Sequence, residues 1–251
     1  MIVATYKIHP IVVGSKVIDK GIMTYQHGYG TEYHIPVYVW YIEGGDKKIL
    51  VDTALMGVLP SKEREERIGG KIHTFEEGLA KWGLKPEDID IVIHTHLHND
   101  HCENDVKCKN ATFYIHKLEL ETIHDPHPLD FRYEYDFIEE IEKAGKIVVI
   151  EGDEYEIAEG LKVIHTPSHT EGCLTVLVNT EKGLAAITGF CVIMENFEPP
   201  AAVRAMEMEV IAPGVHVNSY TAYNQVLRVK EIADIIIPLH EPSFSSVDTI
   251  G

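Results

Sequence analysis

Residues 89–101 read IDIVIHTHLHNDH, and the fold of the chain is best approached from this stretch. The mainly apolar part, IDIVI, has the pattern of a short buried strand, and four histidines, an aspartate and an asparagine follow within eight positions. The cluster therefore lies at the end of a strand, where open α/β sheets place their functional sites. In locally extended backbone His96 and His98 point to the same side, and Asp100 and His101 follow as the chain turns. Imidazole and carboxylate are ligands that zinc, iron and manganese accept, so the cluster predicts a metal site.

Two further histidines follow strand-like stretches later in the chain. His169 lies in TPSHTEG at 166–172, and His240 lies in PLHEP at 238–242. A catalytic zinc site combines three protein ligands with an open position, so ligands from outside the first cluster are needed. These two histidines are the candidates.

Composition and charge narrow the classes of partner. The chain has 251 residues, of which 45% are hydrophobic and 25% charged, the balance of a globular protein. Its formal net charge of −18 repels phosphate backbones and anionic lipid, which argues against nucleic-acid and membrane partners. The start, MIVATYKIHPIVVG, lacks the features of a signal peptide and predicts a first strand. We therefore expect a cytoplasmic protein whose four cysteines are free thiols.

Hairpins and helices follow one another along the chain. The stretches 35–54 and 172–190 each consist of two apolar runs around a polar turn, which predicts a β-hairpin in each half. Helical spacing is found at 73–83 and again at 218–233, where Asn218 or Ser219 suits the N-cap.

No linker rich in Gly, Ser or Pro divides the sequence, so we expect a single α/β domain over residues 1–251. The segment 125–137 is rich in proline and aromatic residues. Two interpretations of it stay open: a segment that shapes substrate access, or an ordinary packed loop.

The motifs THLHNDH and TPSHTEG, followed by a histidine at a strand end, resemble those of the metallo-β-lactamase superfamily. The stretch ILVDTA at 49–54 is similar to the first half of that superfamily, and order and spacing agree from about residue 35 to 242. The resemblance implies a four-layer αβ/βα sandwich of two pseudo-repeated halves. The chain length and ENFE at 195–198 are most similar to the N-acyl homoserine lactonase branch.

Carried over position by position, the resemblance implies two groups of metal ligands. One metal would be bound by His96, His98 and His169, and the second by Asp100, His101 and His240. The implied cofactor is a divalent metal, zinc in the first place, with iron or manganese as alternatives. The resemblance also makes a homodimer plausible.

Two positions depart from the superfamily pattern. In the superfamily, an aspartate that bridges both metals follows a Thr-Gly-like pair. In this chain the corresponding stretch is ITGFCV, and Phe190 stands at the place of that aspartate. The lactonase branch carries a tyrosine three residues further on, where this chain has Ile193. On a regular strand Cys191 would face away from the site, and only a bulge would turn it inward. With less negative charge to offset two cations, we expect one tight metal at the three-histidine group and an uncertain second one.

These residues predict a metal-dependent hydrolase. A metal-bound hydroxide would attack the carbonyl of a small ester or lactone, and Asp100 would carry the proton to the leaving group. The alternative is a metal-binding member with lost or altered hydrolytic activity, such as a sensor or a ligand-binding scaffold, because Phe190 replaces the bridging aspartate.

Overall fold

The computed structural model describes residues 4–57 and 60–251, and its strands form two mixed sheets. The first sheet has six strands in chain order: β1 (Lys7–Asp19), β2 (Glu32–Glu43), β3 (Ile49–Val51), β4 (Ile91–Ile93), β5 (Thr112–His116) and β6 (Ile147–Ile150). The second sheet has five strands: β7 (Glu154–Ala158), β8 (Leu161–His165), β9 (Leu174–Thr180), β10 (Gly183–Ile187) and β11 (Ile235–Ile237), in the order β11-β10-β9-β8-β7. Residues 1–3 of the predicted first strand lie outside the described residues.

The helices connect these strands: α1 (Lys62–Ile68), α2 (Phe75–Ala80), α3 (Asn99–Cys102), α4 (Lys117–His124), α5 (Asp136–Lys143), α6 (Met194–Phe197), α7 (Ala201–Arg204) and α8 (Ser219–Ile232). Both predicted helices are present. Thr74 caps α2 with a reciprocal capping box to Glu77, and the Asn218 side chain accepts a hydrogen bond from Thr221 N to cap α8. Within the described residues, no helix has the length and apolarity that crossing a membrane requires.

The layers are those of an αβ/βα sandwich. A core between the sheets combines residues such as Trp40 and Val51 of the first sheet with Val176 of the second. On the outer face of the first sheet a second core includes α2, α4 and α5, and a third core joins the second sheet to α6 and α8. The predicted fold class is therefore confirmed. A single domain over residues 1–251 stays a prediction, which the shared central core supports.

Each half repeats one arrangement of strands. Strands β2 and β3 form an antiparallel hairpin and β3 continues parallel to β4, while β9 and β10 form a hairpin and β10 continues parallel to β11. Both hairpins match the prediction. Because β3, β4 and β5 are parallel, the residues that follow them meet at one edge of the sheet. The segments after β8, β10 and β11 meet in the same way, since β8 and β10 are both antiparallel to β9.

The segment that follows β10 depends on close packing at Gly189. A β-carbon at this position would overlap the backbone carbonyl oxygen of Leu174 on the neighbouring strand β9. Backbone atoms of a central strand cannot move aside as a flexible side chain can, so no other residue fits here.

We predict that Gly189→Ala lowers the free energy of unfolding by about 3 kcal/mol, because the added methyl group overpacks the sheet. Gly145→Ala is the matched control: nothing lies within 4 Å of its β-carbon position, and only its φ of +65° disfavours alanine. We expect the control to lose about 1 kcal/mol. Urea denaturation measures both, and equal losses would contradict the packing argument.

Candidate metal centre

Three histidines from both sheets form the first ligand group. His96 and His98 follow β4, and His169 follows β8. All three are buried, and one ring nitrogen of each lies within 4.8 Å of one ring nitrogen of the others. The sequence predicted these three residues as one group, and the fold brings them together.

Hydrogen bonds assign which ring nitrogens of this group carry protons. His98 Nε2 donates to Asp130 Oδ2 at 3.1 Å, and His169 Nδ1 donates to the carbonyl of Val215 at 3.0 Å. The remaining nitrogens, His98 Nδ1 and His169 Nε2, lie 3.0 Å apart with a lone pair on each. Among the described residues His96 Nε2 has no hydrogen-bond partner although it is buried. With these tautomers three lone pairs converge, an arrangement that fits a divalent cation.

Asp100, His101 and His240 form the second group, again with ligand atoms within 4.8 Å of one another. His101 Nδ1 donates to Asp52 Oδ2 at 2.8 Å, and His240 Nδ1 donates to the carbonyl of Pro36 at 2.9 Å. Both rings therefore direct the lone pair of Nε2 toward Asp100. Such bonds behind a metal ligand fix its tautomer and raise its basicity.

Asp52 is the residue that follows β3, and its backbone has a φ of +57°, which aspartate tolerates better than most residues. Thr95 donates to its carboxylate twice, from the backbone N at 2.8 Å and from the hydroxyl at 2.7 Å. Burial alone would raise the pKa of Asp52, but the neighbouring imidazoles of His101 and His94 lower it to about 2. Asp52 is thus an ionised support for His101.

The electrostatics keep the ligand atoms available for a metal. Burial, reinforced by the neighbouring imidazoles, lowers the pKa of His96 and His169 well below the usual value, and it lowers the pKa of His240 to about 4. These rings are therefore neutral near pH 7. Burial would raise the pKa of Asp100, but His101 and the ammonium of Lys16 bring it far below its usual range, so the carboxylate is ionised.

Glu119 of α4 supports both segments of the three-histidine group, and the sequence analysis missed it. Its buried carboxylate accepts hydrogen bonds from the backbone N of Leu97 at 2.8 Å and of Gly172 at 3.1 Å. Thr170, next to His169, also donates to it. One glutamate in the run KLELETI gives no local signal, because its partners are distant in sequence.

The segment 125–137 covers the two ligand groups, which supports the first of its two interpretations. Leu129, Phe131 and Arg132 line a cavity of about 350 Å³ that contains all six predicted ligands. Asp130 reaches from this segment to His98, and the guanidinium of Arg132 donates to the other carboxylate oxygen of Asp130 at 2.7 Å. The covering segment is therefore connected to a predicted ligand.

Residues 188–193 depart from the expected strand geometry. Strand β10 ends at Ile187, so residues 188–193 do not alternate between the two faces of the sheet. The expectation that Cys191 faces away from the site depended on that alternation. Phe190 is buried on the far side against Phe197, with ring centroids 6.3 Å apart, whereas Cys191 lines the cavity. That expectation for Cys191 was wrong, because the chain leaves the sheet before reaching it. Ile193 packs in an apolar cluster and lies outside the cavity lining.

All four cysteines are unpaired, as predicted, and all four are buried. Burial raises the pKa of Cys191 to about 12, so it is a protonated thiol in the absence of a metal. Its sulfur lies 3.7 Å from the sulfur of Met23, and Cys191 belongs to neither ligand group. Ligation by Cys191 stays untested.

Comparisons with known proteins agree with this geometry. The family model for the metallo-beta-lactamase superfamily matches residues 34–187, more than half of the chain. An N-acyl homoserine lactonase of Bacillus cereus is 27% identical over 244 residues, covering 90% of this chain and 88% of the relative. A probable metallo-hydrolase of Methanocaldococcus jannaschii is 28% identical over 165 residues, covering 66% of this chain and 63% of the relative. Among solved structures, a variant of the Bacillus thuringiensis lactonase AiiA with N-decanoyl-L-homoserine bound is 22% identical, with a TM-score of 0.73 over 96% of this chain and 94% of that chain.

We predict that chelator-treated protein binds Zn²⁺ in two steps of unequal affinity. The Asp100 carboxylate is shared with the Lys16 ammonium at 2.9 Å, so the group that contains it attracts a cation less strongly than its charge suggests. Calorimetric titration measures the affinity of the two binding steps. Metal analysis after dialysis measures the Zn²⁺ that stays bound, and about one Zn²⁺ per chain should remain. His169→Ala should remove the tight step and His240→Ala the weak one, while the exposed control His124→Ala should remove neither. Two equally tight equivalents would contradict the prediction.

Asp52→Asn should weaken metal binding at the Asp100 group about 10- to 100-fold, because His101 loses its charged acceptor. Asparagine tolerates the positive φ, so the backbone should keep its conformation. Asp46→Asn, in the exposed turn between β2 and β3, is the control that changes the same charge at a distance. Zn²⁺ titration measures the affinity of each variant. An unchanged affinity in Asp52→Asn would show that the hydrogen bond from His101 to a charged Asp52 is dispensable.

Proposed function

Because the chain belongs to the metallo-β-lactamase superfamily, we propose that it hydrolyses the carbonyl–oxygen bond of small lactones or esters at this metal centre. The chain is a metal-dependent hydrolase, and relatives that match about nine-tenths of its length are named N-acyl homoserine lactonases. The observation that carries the proposal is the convergence of two ligand groups on one cavity. The six ligands themselves stay a proposal.

The donor set favours zinc among the divalent metals. Five imidazoles and one carboxylate suit Zn²⁺, and iron or manganese accept the same ligands. When bound, a divalent cation acts as a Lewis acid that polarises a carbonyl and makes water nucleophilic near neutral pH.

The protein's own residues would prepare the site for that reaction. Asp52, Asp130 and Glu119 hold the ligand segments, so little reorganisation is needed when the substrate reacts. Asp100 is the candidate that carries a proton from the attacking water to the leaving oxygen. Its strongly lowered pKa means that it would hold this proton only transiently.

The cavity walls support a small and partly apolar substrate. Apolar side chains form much of the lining: Ile18, Ile22, Met23, Ile35, Leu129, Phe131 and Val215. A volume of about 350 Å³ lies at the small end of ligand pockets. Several matching relatives are named N-acyl homoserine lactonases, and a lactone with an apolar substituent is the substrate class we propose here. A cytoplasmic location and a homodimer stay predictions.

Metal-restored protein should hydrolyse members of a panel of lactones and esters, and metal-depleted protein should not, because the ligand groups have no other means of activating water. Product acid is measured by pH indicator and by mass spectrometry. His96→Ala should lose about 1000-fold in activity, and the exposed control His124→Ala should keep the wild-type rate. Inactivity of the restored wild type across the panel would favour the alternative of a metal-binding protein without hydrolytic activity.

A further inference from the structure

We propose that Lys16 is a further catalytic residue, whose ammonium group donates a hydrogen bond to the leaving oxygen of the substrate. The inference rests on the proposed lactone or ester hydrolysis and deepens it. Lys16 lies on β1, far in sequence from the histidine motifs.

A change of register in β1 brings Lys16 to the cavity. The pairing of β1 with β2 shifts by one residue between Val12 and Gly14, so that Lys16 lies directly opposite Ile35. Both Lys16 and Ile35 line the cavity, whereas the adjacent Val17 is 52% exposed. Bulges of this kind occur next to active sites, where they redirect a side chain.

Lys16 is the cationic donor that the cavity leaves free for a substrate. The polar residues of the lining are Lys16, His96, His98, Asp100, His101, Arg132, His169 and His240. Six of these are the predicted metal ligands. Arg132 is held by Asp130 through both Nε and Nη2, with each nitrogen at 2.7 Å from the same oxygen. The described lining contains no tyrosine, and Ile193, at the place of the lactonase tyrosine, packs behind the cavity-lining residues Met23 and Cys191.

The position of Lys16 suits the reacting atoms. Its Nζ lies 2.9 Å from Asp100 Oδ2, while its side chain remains 38% exposed. An ammonium has three donors, so one bond to Asp100 leaves two for substrate oxygens. The flexible four-carbon chain allows this head group to follow the leaving oxygen as the bond breaks. A positive charge placed beside the leaving oxygen stabilises the negative charge that develops there.

The step balances without any further reactant. The oxygen of water bonds to the carbonyl carbon, and the bond from that carbon to the leaving oxygen breaks. One proton of the water moves through Asp100 to the leaving oxygen, and the new carboxylic acid releases the other to solvent. Lys16 keeps its own proton throughout and acts only as a donor and a charge.

The test compares Lys16→Met, Lys16→Arg and wild type on esters and lactones with leaving groups of graded basicity. Removing one charge-stabilising donor should lower kcat about 100-fold for alkoxide leaving groups. The loss should fall below about tenfold for nitrophenolate leaving groups, which need little stabilisation. Lys16→Arg should recover most of the loss. Lys7→Met, at the exposed start of the same strand, is the matched control and should be unchanged.

Metal content and thermal stability of each variant are measured in parallel. All variants are assayed with Zn²⁺ in saturating excess, because loss of the Lys16 ammonium should raise the cation affinity of the Asp100 group. A steeper dependence on the leaving group under this condition supports the proposal. A uniform loss for all leaving groups overturns it in favour of a role in positioning Asp100, and the hydrolase function stands. A wild type that hydrolyses no member of the panel overturns the proposed function, and the role of Lys16 with it.

Discussion

Two imidazole nitrogens whose lone pairs face each other impose the strongest constraint on this structure. His98 Nδ1 and His169 Nε2 lie 3.0 Å apart, and the opposite nitrogen of each ring already donates its proton elsewhere. Burial removes the water that would otherwise separate them. The sandwich must therefore hold segments from two different sheets against a local repulsion, which a cation between them would turn into attraction.

Buried carboxylates behind the ligands provide the means of holding them. Glu119 accepts hydrogen bonds from both segments that carry the three-histidine group, and Asp52 connects the end of β3 to Thr95 and His101. Asp130 extends the same principle to the covering segment 125–137. Each buried charge is compensated by several donors, which keeps its desolvation from destabilising the fold. The six candidate ligands are thus held in place by contacts within the fold.

The chain departs from the superfamily pattern mainly along one wall of the cavity. The segment after β10 turns Phe190 into the outer core and presents Cys191 to the cavity, so this wall contributes a thiol and no carboxylate. The Lys16 ammonium, 2.9 Å from Asp100, adds a positive charge to the same cavity. The cavity is therefore less negative than the superfamily pattern implies, in a chain of formal net charge −18.

The sequence by itself indicated both hairpins and the two expected helices through local patterns of apolar residues. It indicated the fold class and the six candidate ligands through motifs that resemble those of the superfamily. The contacts of Glu119, Asp130 and Lys16 were decided only by the tertiary structure. Their partners are separated from them by many residues, as the Lys16–Asp100 contact is, and no spacing along the chain encodes such contacts. The orientation of Cys191 likewise depended on where β10 ends, because the alternation of side chains holds only along a regular strand.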